Sequence, residues 1–267
     1  MALRIPDLLT TANLSCGVAS ILLASQGQLT LACWLVFAGA AFDVLDGLAA
    51  RALGGGSEFG KQLDSLADMV TFGVAPGMIA ASDPYGAIQR MISVHRDFLP
   101  DASAVGGTVG LNWMQITTLM VIAIASCWRL AKFNIDTRQS TGFLGLATPA
   151  NAIFWASVGS CAWGVGIIEG PGAHALQYPI GIFSTNPTMK LIVAVILGAF
   201  MLSEIPLPSL KFKHFKWNGN EVIFILFAIG LVLVLLYGIL AVPLILLLYL
   251  LSPLWGKVFK NAETQKR

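Results

Sequence analysis

The sequence predicts an all-α, polytopic integral membrane protein, and three observations carry that prediction. Hydrophobic residues make up 56% of the 267 residues. Charged residues make up only 11%, against about 25% in an ordinary soluble domain. The apolar residues also gather in long runs, near 8–25, 28–50, 62–81, 111–131, 147–168, 188–205 and 221–252, most of them the length a helix needs to cross a bilayer. A soluble globular domain is excluded.

The first run, 8–25, opens with Pro6 in a first-turn position and has Arg4 and Asp7 at the interface. It lacks a clear small-residue cleavage site and reads as a retained first helix rather than a signal peptide. Runs 28–50 and 62–81 supply the second and third helices, joined by a connector around Gly54-Gly55-Gly56. A segment rich in Gly, Pro and Asp, 82–110, reads as an outer loop whose His95, Arg96 and Asp97 are solvated polar residues. Helices four, five and six follow at 111–131, 147–168 and 188–205, with a second outer loop, containing His174, at 165–187. The last run is too long for one helix, and Gly238 and Pro243 divide it into about 221–238 and 242–255. The expected total is eight spans in one domain covering 1–267, with 221–255 as a C-terminal addition.

Basic residues test the orientation, because they concentrate on the cytoplasmic side. With both termini inside, cytoplasmic segments hold Arg4, Arg51, Lys61, Arg129, Lys132, Arg138, Lys211, Lys213, Lys216, Lys257, Lys260, Lys266 and Arg267. The outer side holds only Arg90, Arg96 and Lys190. An odd number of spans would destroy this asymmetry. The net charge of +2 is dispersed, without a basic stripe, so nucleic acid is not an expected partner. The basic loops suit anionic lipid headgroups. Cys16, Cys33, Cys127 and Cys161 fall in predicted spans without metal or redox spacing and read as small buried hydrophobes.

The chemistry concentrates at the cytoplasmic ends of helices two and three. Only 14 acidic residues occur in the chain, yet Asp43, Asp46, Asp64 and Asp68 fall close together. Residues three or four apart share a helix face, so Asp43, Asp46, Gly47, Ala50 and Arg51 form one stripe and Gly60, Asp64 and Asp68 another. The short connector makes the helices antiparallel neighbours, and the stripes converge. Carboxylates at the edge of hydrocarbon are costly unless compensated. All-oxygen ligand sets select hard cations such as Mg²⁺, Mn²⁺ or Ca²⁺, and four aspartates suit two bridged ions, a device for handling phosphate esters. Gly47, Ala50 and Gly60 leave the facing surfaces without bulk where a phosphate-bearing ligand approaches, although small residues also permit close helix packing. Arg51 can hold a phosphate or simply anchor the inner interface.

The spacing D-x-x-D-G-x-x-A-R-x8-G-x-x-x-D-x-x-x-D, fulfilled from Asp43 to Asp68, resembles that of the CDP-alcohol phosphotransferase family. Further segments resemble its serine-accepting membrane branch: Leu63-Asp64-Ser65-Leu66-Ala67-Asp68, Thr71-Phe72-Gly73-Val74-Ala75-Pro76, Arg129-Leu130-Ala131-Lys132-Phe133-Asn134 and Gly145-Leu146-Ala147-Thr148-Pro149-Ala150. The resemblance spans roughly 5–215. Departures are Pro6-Asp7 for Pro-Asn, Lys132 for Arg, and Ala147 for Pro.

The resemblance implies a membrane enzyme that moves a phosphatidyl group from CDP-diacylglycerol to L-serine and releases CMP. It implies two divalent cations, Mg²⁺ or Mn²⁺, held by Asp43, Asp46, Asp64 and Asp68, with Asp68 as general base. Asp46, Gly47, Ala50, Arg51 and Gly60 are expected around the donor, with Thr10 and Asn13 as further contacts. A serine carboxylate needs a cation, and Arg129 is the first choice, followed by Lys132 and Asn134. A homodimer is implied, and a prokaryotic inner membrane with the active site at the cytoplasmic face is the expected location. Two rival readings are another acceptor (glycerol 3-phosphate, inositol phosphate or choline) and a divalent-cation transporter using intramembrane aspartates.

Overall fold

A computed structural model describes residues 4–82, 112–136, 143–161, 170–207 and 221–264. Helices α1 (Ile5–Ser25) and α2 (Leu29–Ala52) form an antiparallel hairpin, turned by Gly27 at φ 80°. Pro6 sits in the first turn of α1, where no intrahelical donor is missed. The Asp7 carboxylate accepts from the Arg4 backbone N–H at 3.1 Å and closes that end. α2 ends in a left-handed Gly54, φ 91°, with the Gly55 N–H donating back to the Ala50 carbonyl at 2.8 Å. This closure satisfies an orphan carbonyl and reverses the chain within five residues.

The third span starts earlier than expected, because Ser57 caps it by accepting from the Gly60 N–H at 2.9 Å. It runs as α3 (Glu58–Asp68), a π-helical segment (Met69–Val74) and α4 (Ala75–Ala81). Pro76 lacks the N–H that would donate to the carbonyl four residues back, and the widened turns lie immediately upstream of it. α5 (Trp113–Ile135) begins at a capping box of Asn112 and Gln115. α6 (Thr148–Cys161) follows, and a two-residue antiparallel pairing, Phe143 with Leu207 and Leu144 with Pro206, ties its approach to the segment after α8.

The predicted outer loop 165–187 needs correction, since α7 (Ala173–Thr185) occupies most of its described part. It meets α8 (Pro187–Leu202) at 94°. The bend arises because Asn186 caps a new helix, accepting from the Met189 N–H at 3.1 Å, while Pro187 fills its first turn. The end of the chain divides where expected, into α9 (Glu221–Tyr237), a 3₁₀ turn (Gly238–Ala241) and α10 (Val242–Thr264). A Cβ on Gly230 would lie 3.8 Å from Ile245, so α10 folds back along α9.

Among the described residues five helices are long and apolar enough to cross a membrane, and the bent pair raises this to six. That count takes Ile223–Pro253 as one stretch. The expectation of eight divided this stretch at the fold-back and added 147–168, of which the 14-residue α6 is described. The loop 82–110 lies, from residue 83 onward, outside the described residues. Two apolar clusters hold the bundle. One joins α1, α2, α4, α6 and the π segment through Cys33, Val36, Phe72, Ile79 and Ala152. The other joins α4, α5, α6, α8 and α10 through Ile122, Trp155, Leu197 and Leu246. Exposed apolar side chains such as Leu22, Leu31, Val44, Met120 and Leu231 cover the outside, as a lipid-facing surface requires.

Candidate active site

Asp43 on α2 and Asp64 and Asp68 on α3 converge, with one carboxylate oxygen from each within 4.8 Å of the others. Asp68 is buried and the other two are half-buried. None of the three forms an ion pair with a described basic residue, and Asp64 Oδ1 is buried without a hydrogen-bond partner. Three acceptor-only groups facing one point, one with an orphaned buried oxygen, fit a hard divalent cation.

Asp46 stands beside this group rather than inside it. Its Oδ2 accepts from the Thr10 hydroxyl at 2.6 Å. Three residues on a helix leave an angular offset of about 60°, enough to turn Asp46 toward α1 while Asp43 faces α3. Thr10 and Asp46 open instead onto a cleft of about 120 Å³, lined also by Gly47, Ala50, Gly60 and Asp64. Five of the residues expected around the donor therefore share one cavity that reaches Asp64 of the carboxylate cluster.

Two expected donor contacts do not line that cleft. Arg51 is exposed at the end of α2, its guanidinium 3.9 Å from where a Gly47 Cβ would stand. Asn13 is fully buried, and its Nδ2 donates to Asp68 Oδ1 at 3.1 Å. The Thr71 hydroxyl in turn donates to the Asn13 backbone carbonyl at 2.9 Å. Asn13 thus backs Asp68 from behind. Close helix approach makes this possible: a Cβ on Gly17 would stand 2.8 Å from the Thr71 Cα, and one on Gly39 3.0 Å from Asn13 Oδ1.

The cleft has walls that the motif did not reveal: Arg4, Asp7, Ser57 and Lys61. Lys61 directly follows Gly60, so its place was signalled by sequence adjacency alone. Asp7, the departure from Pro-Asn, lies against Gly60, where an added Cβ would meet Asp7 Oδ1 and Ser57 Oγ at 3.2 Å each. Gly60 is therefore held small by its protein neighbours.

The three residues expected at the acceptor separate. Arg129 is buried, with Nε donating to the Leu146 carbonyl at 3.3 Å and its guanidinium 4.9 Å above the Phe133 ring. Lys132 pairs with Glu204 at 3.2 Å. Asn134 is exposed and exchanges hydrogen bonds with Ser65, donating at 2.8 Å. That contact, with Ser126 packed on Gly73, sets α5 antiparallel to the third span and brings Arg129 to the height of residues 69–70, which follow Asp68 in the sequence.

A bundle of apolar helices with a carboxylate cluster and a polar cleft at one end is a framework that suits a membrane-embedded enzyme. Comparison with known proteins agrees: residues 3–255 match the CDP-alcohol phosphatidyltransferase family. The chain belongs to that family and is a transferase. A CDP-diacylglycerol–serine O-phosphatidyltransferase of Helicobacter pylori (strain ATCC 700392 / 26695) is 35% identical over 86% of this chain and 81% of its own length. One of Bacillus subtilis (strain 168) is 28% identical over 81% of this chain and 94% of its own. An archaetidylserine synthase of Methanothermobacter thermautotrophicus is 33% identical over 57% of this chain and 55% of its own.

Proposed function

We propose that this transferase moves the phosphatidyl group of CDP-diacylglycerol to the hydroxyl of L-serine, giving phosphatidylserine and CMP. The observation that carries the reading is the meeting of Asp43, Asp64 and Asp68 at the edge of the cleft lined by Thr10, Asp46, Gly47, Ala50 and Gly60. Serine as acceptor is supported by the names of the relatives in Helicobacter pylori and Bacillus subtilis and by a buried guanidinium, Arg129, level with the cluster.

Asp43, Asp64 and Asp68 would hold divalent cations, with Asp46 at their margin. Bound there, Mg²⁺ or Mn²⁺ supplies charge neutralisation at the attacked phosphate and the departing CMP. The chain's own groups do the rest. The cleft receives the nucleotide and diphosphate, with Arg4 and Lys61 at its wall and Arg51 beside it, while the acyl chains remain in the bilayer. Asp68, oriented by Asn13, takes the proton from the serine hydroxyl as its oxygen forms the new P–O bond and the bond to CMP breaks. General-base help of this kind is worth about 10²–10⁴-fold. Arg129 offers its terminal nitrogens to the serine carboxylate.

Several further features belong to this reading: both termini and the active site on the cytoplasmic side of a prokaryotic inner membrane, supported by the distribution of basic residues, and a homodimer, supported by the family resemblance. Detergent-purified protein supplied with CDP-diacylglycerol and Mn²⁺ or Mg²⁺ should release CMP with serine. Release only with glycerol 3-phosphate, inositol phosphate or choline would reject serine while keeping the chemistry. The cation-transport alternative requires carboxylates along a path, whereas the described residues place one acidic cluster on two adjacent spans.

A further inference from the structure

Nearly every buried hydroxyl in the described bundle has a hydrogen-bond partner. Ser20, Thr71, Thr118, Ser157, Ser160, Ser184 and Ser252 all donate to a backbone carbonyl, and Thr10 donates to Asp46. Ser126 and Thr148, 0% and 1% exposed, have none. Asn151 Oδ1, on a side chain 1% exposed, is likewise without a partner. Buried polar atoms left unpaired oppose folding, and serine and threonine in helices ordinarily bond back to their own turn.

Helix register brings these three residues to similar heights on α5 and α6. Thr148, Asn151 and Trp155 recur at three- and four-residue intervals and so share a face of α6. Trp155 packs in the cluster containing Ile122 and Ala125 of α5. α6 runs parallel to the third span, with Ala152 and Phe72 in one cluster and Gly159 against Ile79. α5 runs antiparallel to that span. One turn toward the cytoplasm from Trp155, the α6 face therefore presents Asn151, and then Thr148, toward Ser126 and Arg129. Arg129 confirms the proximity, since its Nε bonds the carbonyl of Leu146, two residues before Thr148. The third span at this height is the π segment that begins directly after Asp68.

We propose that Ser126, Thr148 and Asn151 bind the ammonium group of the acceptor amino acid, opposite the Arg129 guanidinium. The inference rests on serine being the acceptor. An ammonium offers three N–H donors and no acceptor, and three unpaired oxygens complement it. The arrangement holds a zwitterion by both ends and leaves its hydroxyl free to face Asp68. It also gives discrimination, because an alcohol without the amino group leaves the three oxygens unpaired.

The test uses the full chain with CDP-diacylglycerol in mixed micelles and compares Ser126→Ala, Thr148→Val and Asn151→Leu with the wild type. The apparent KM for serine should rise roughly ten- to a hundredfold, as expected for losing a hydrogen bond to a charged group, while the KM for CDP-diacylglycerol changes less than about twofold. The thermal midpoint should hold or rise, since an unpaired buried oxygen has been removed. With 3-hydroxypropanoate, which lacks the ammonium, the variants should match the wild type. Equal effects on both substrates, or lower stability with an unchanged serine KM, would overturn the inference. A wild type that releases CMP only with an acceptor lacking an amino group would overturn the serine reading and this inference together. A wild type specific for serine with variants indifferent to it would overturn this inference alone.

Discussion

Asp68 shows how much one side chain depends on neighbours distant in sequence. Its place in the carboxylate cluster is readable from its spacing to Asp64, because i, i+4 periodicity fixes a shared face. Its support by Asn13 is not readable, since the bond joins residues 55 positions apart and requires Gly17 and Gly39 to admit Thr71 between α1 and α2. The family resemblance implies Asn13 as a donor contact, whereas the structure adds its bond to Asp68, which no spacing announces. Asn13→Ala should lower kcat by about 10–100-fold, as losses of outer-shell partners do, with little change in the KM for CDP-diacylglycerol. A raised donor KM at unchanged kcat would restore the nucleotide role. Gly17→Ala should cost about 1–3 kcal/mol in thermal or denaturant unfolding, because its Cβ would meet the Thr71 backbone rather than a movable side-chain end.

At the scale of elements, long apolar runs and breaker residues carry most of the information. The division at Gly238 was legible because 32 apolar residues exceed one membrane crossing. The π segment and the α7–α8 bend were less legible. A proline and two glycines resemble any helix that packs tightly, and 165–187 resembles a loop by composition although Asn186-Pro187 restarts a helix inside an apolar region. The α2–α3 connector is the element on which the site most depends, since it sets how the two acidic stripes face one another. Gly54 adopts φ 91°, a conformation that side chains with a Cβ occupy at a cost of about 1 kcal/mol. Gly54→Ala should therefore lower the thermal midpoint by several degrees or less, whereas Gly56→Ala, with open space around its Cβ and no left-handed φ, should not.

The whole molecule joins a lipid-facing exterior to an acidic cluster at one end of the described bundle. Composition made the first part evident, and an eight-position motif located the second. The buried polar residues of α5 and α6 were legible only in part. Arg129 stood out as a cation at the inner end of the fourth predicted helix, but Ser126, Thr148 and Asn151 acquire meaning only when packing shows their side-chain oxygens buried and unpaired. The proposed orientation predicts a simple asymmetry. With the native cysteines replaced, a cysteine at position 56 in inverted vesicles should react with an impermeant thiol reagent and one at position 27 should not. Serine-dependent CMP release measured against Mn²⁺ concentration, in the wild type and in Asp64→Asn, tests the central claim most directly. The account predicts release that needs the metal and serine in the wild type and is lost, or recovered only at far higher Mn²⁺, in the variant. Metal-independent release, or a folded variant with the wild-type response, would contradict it.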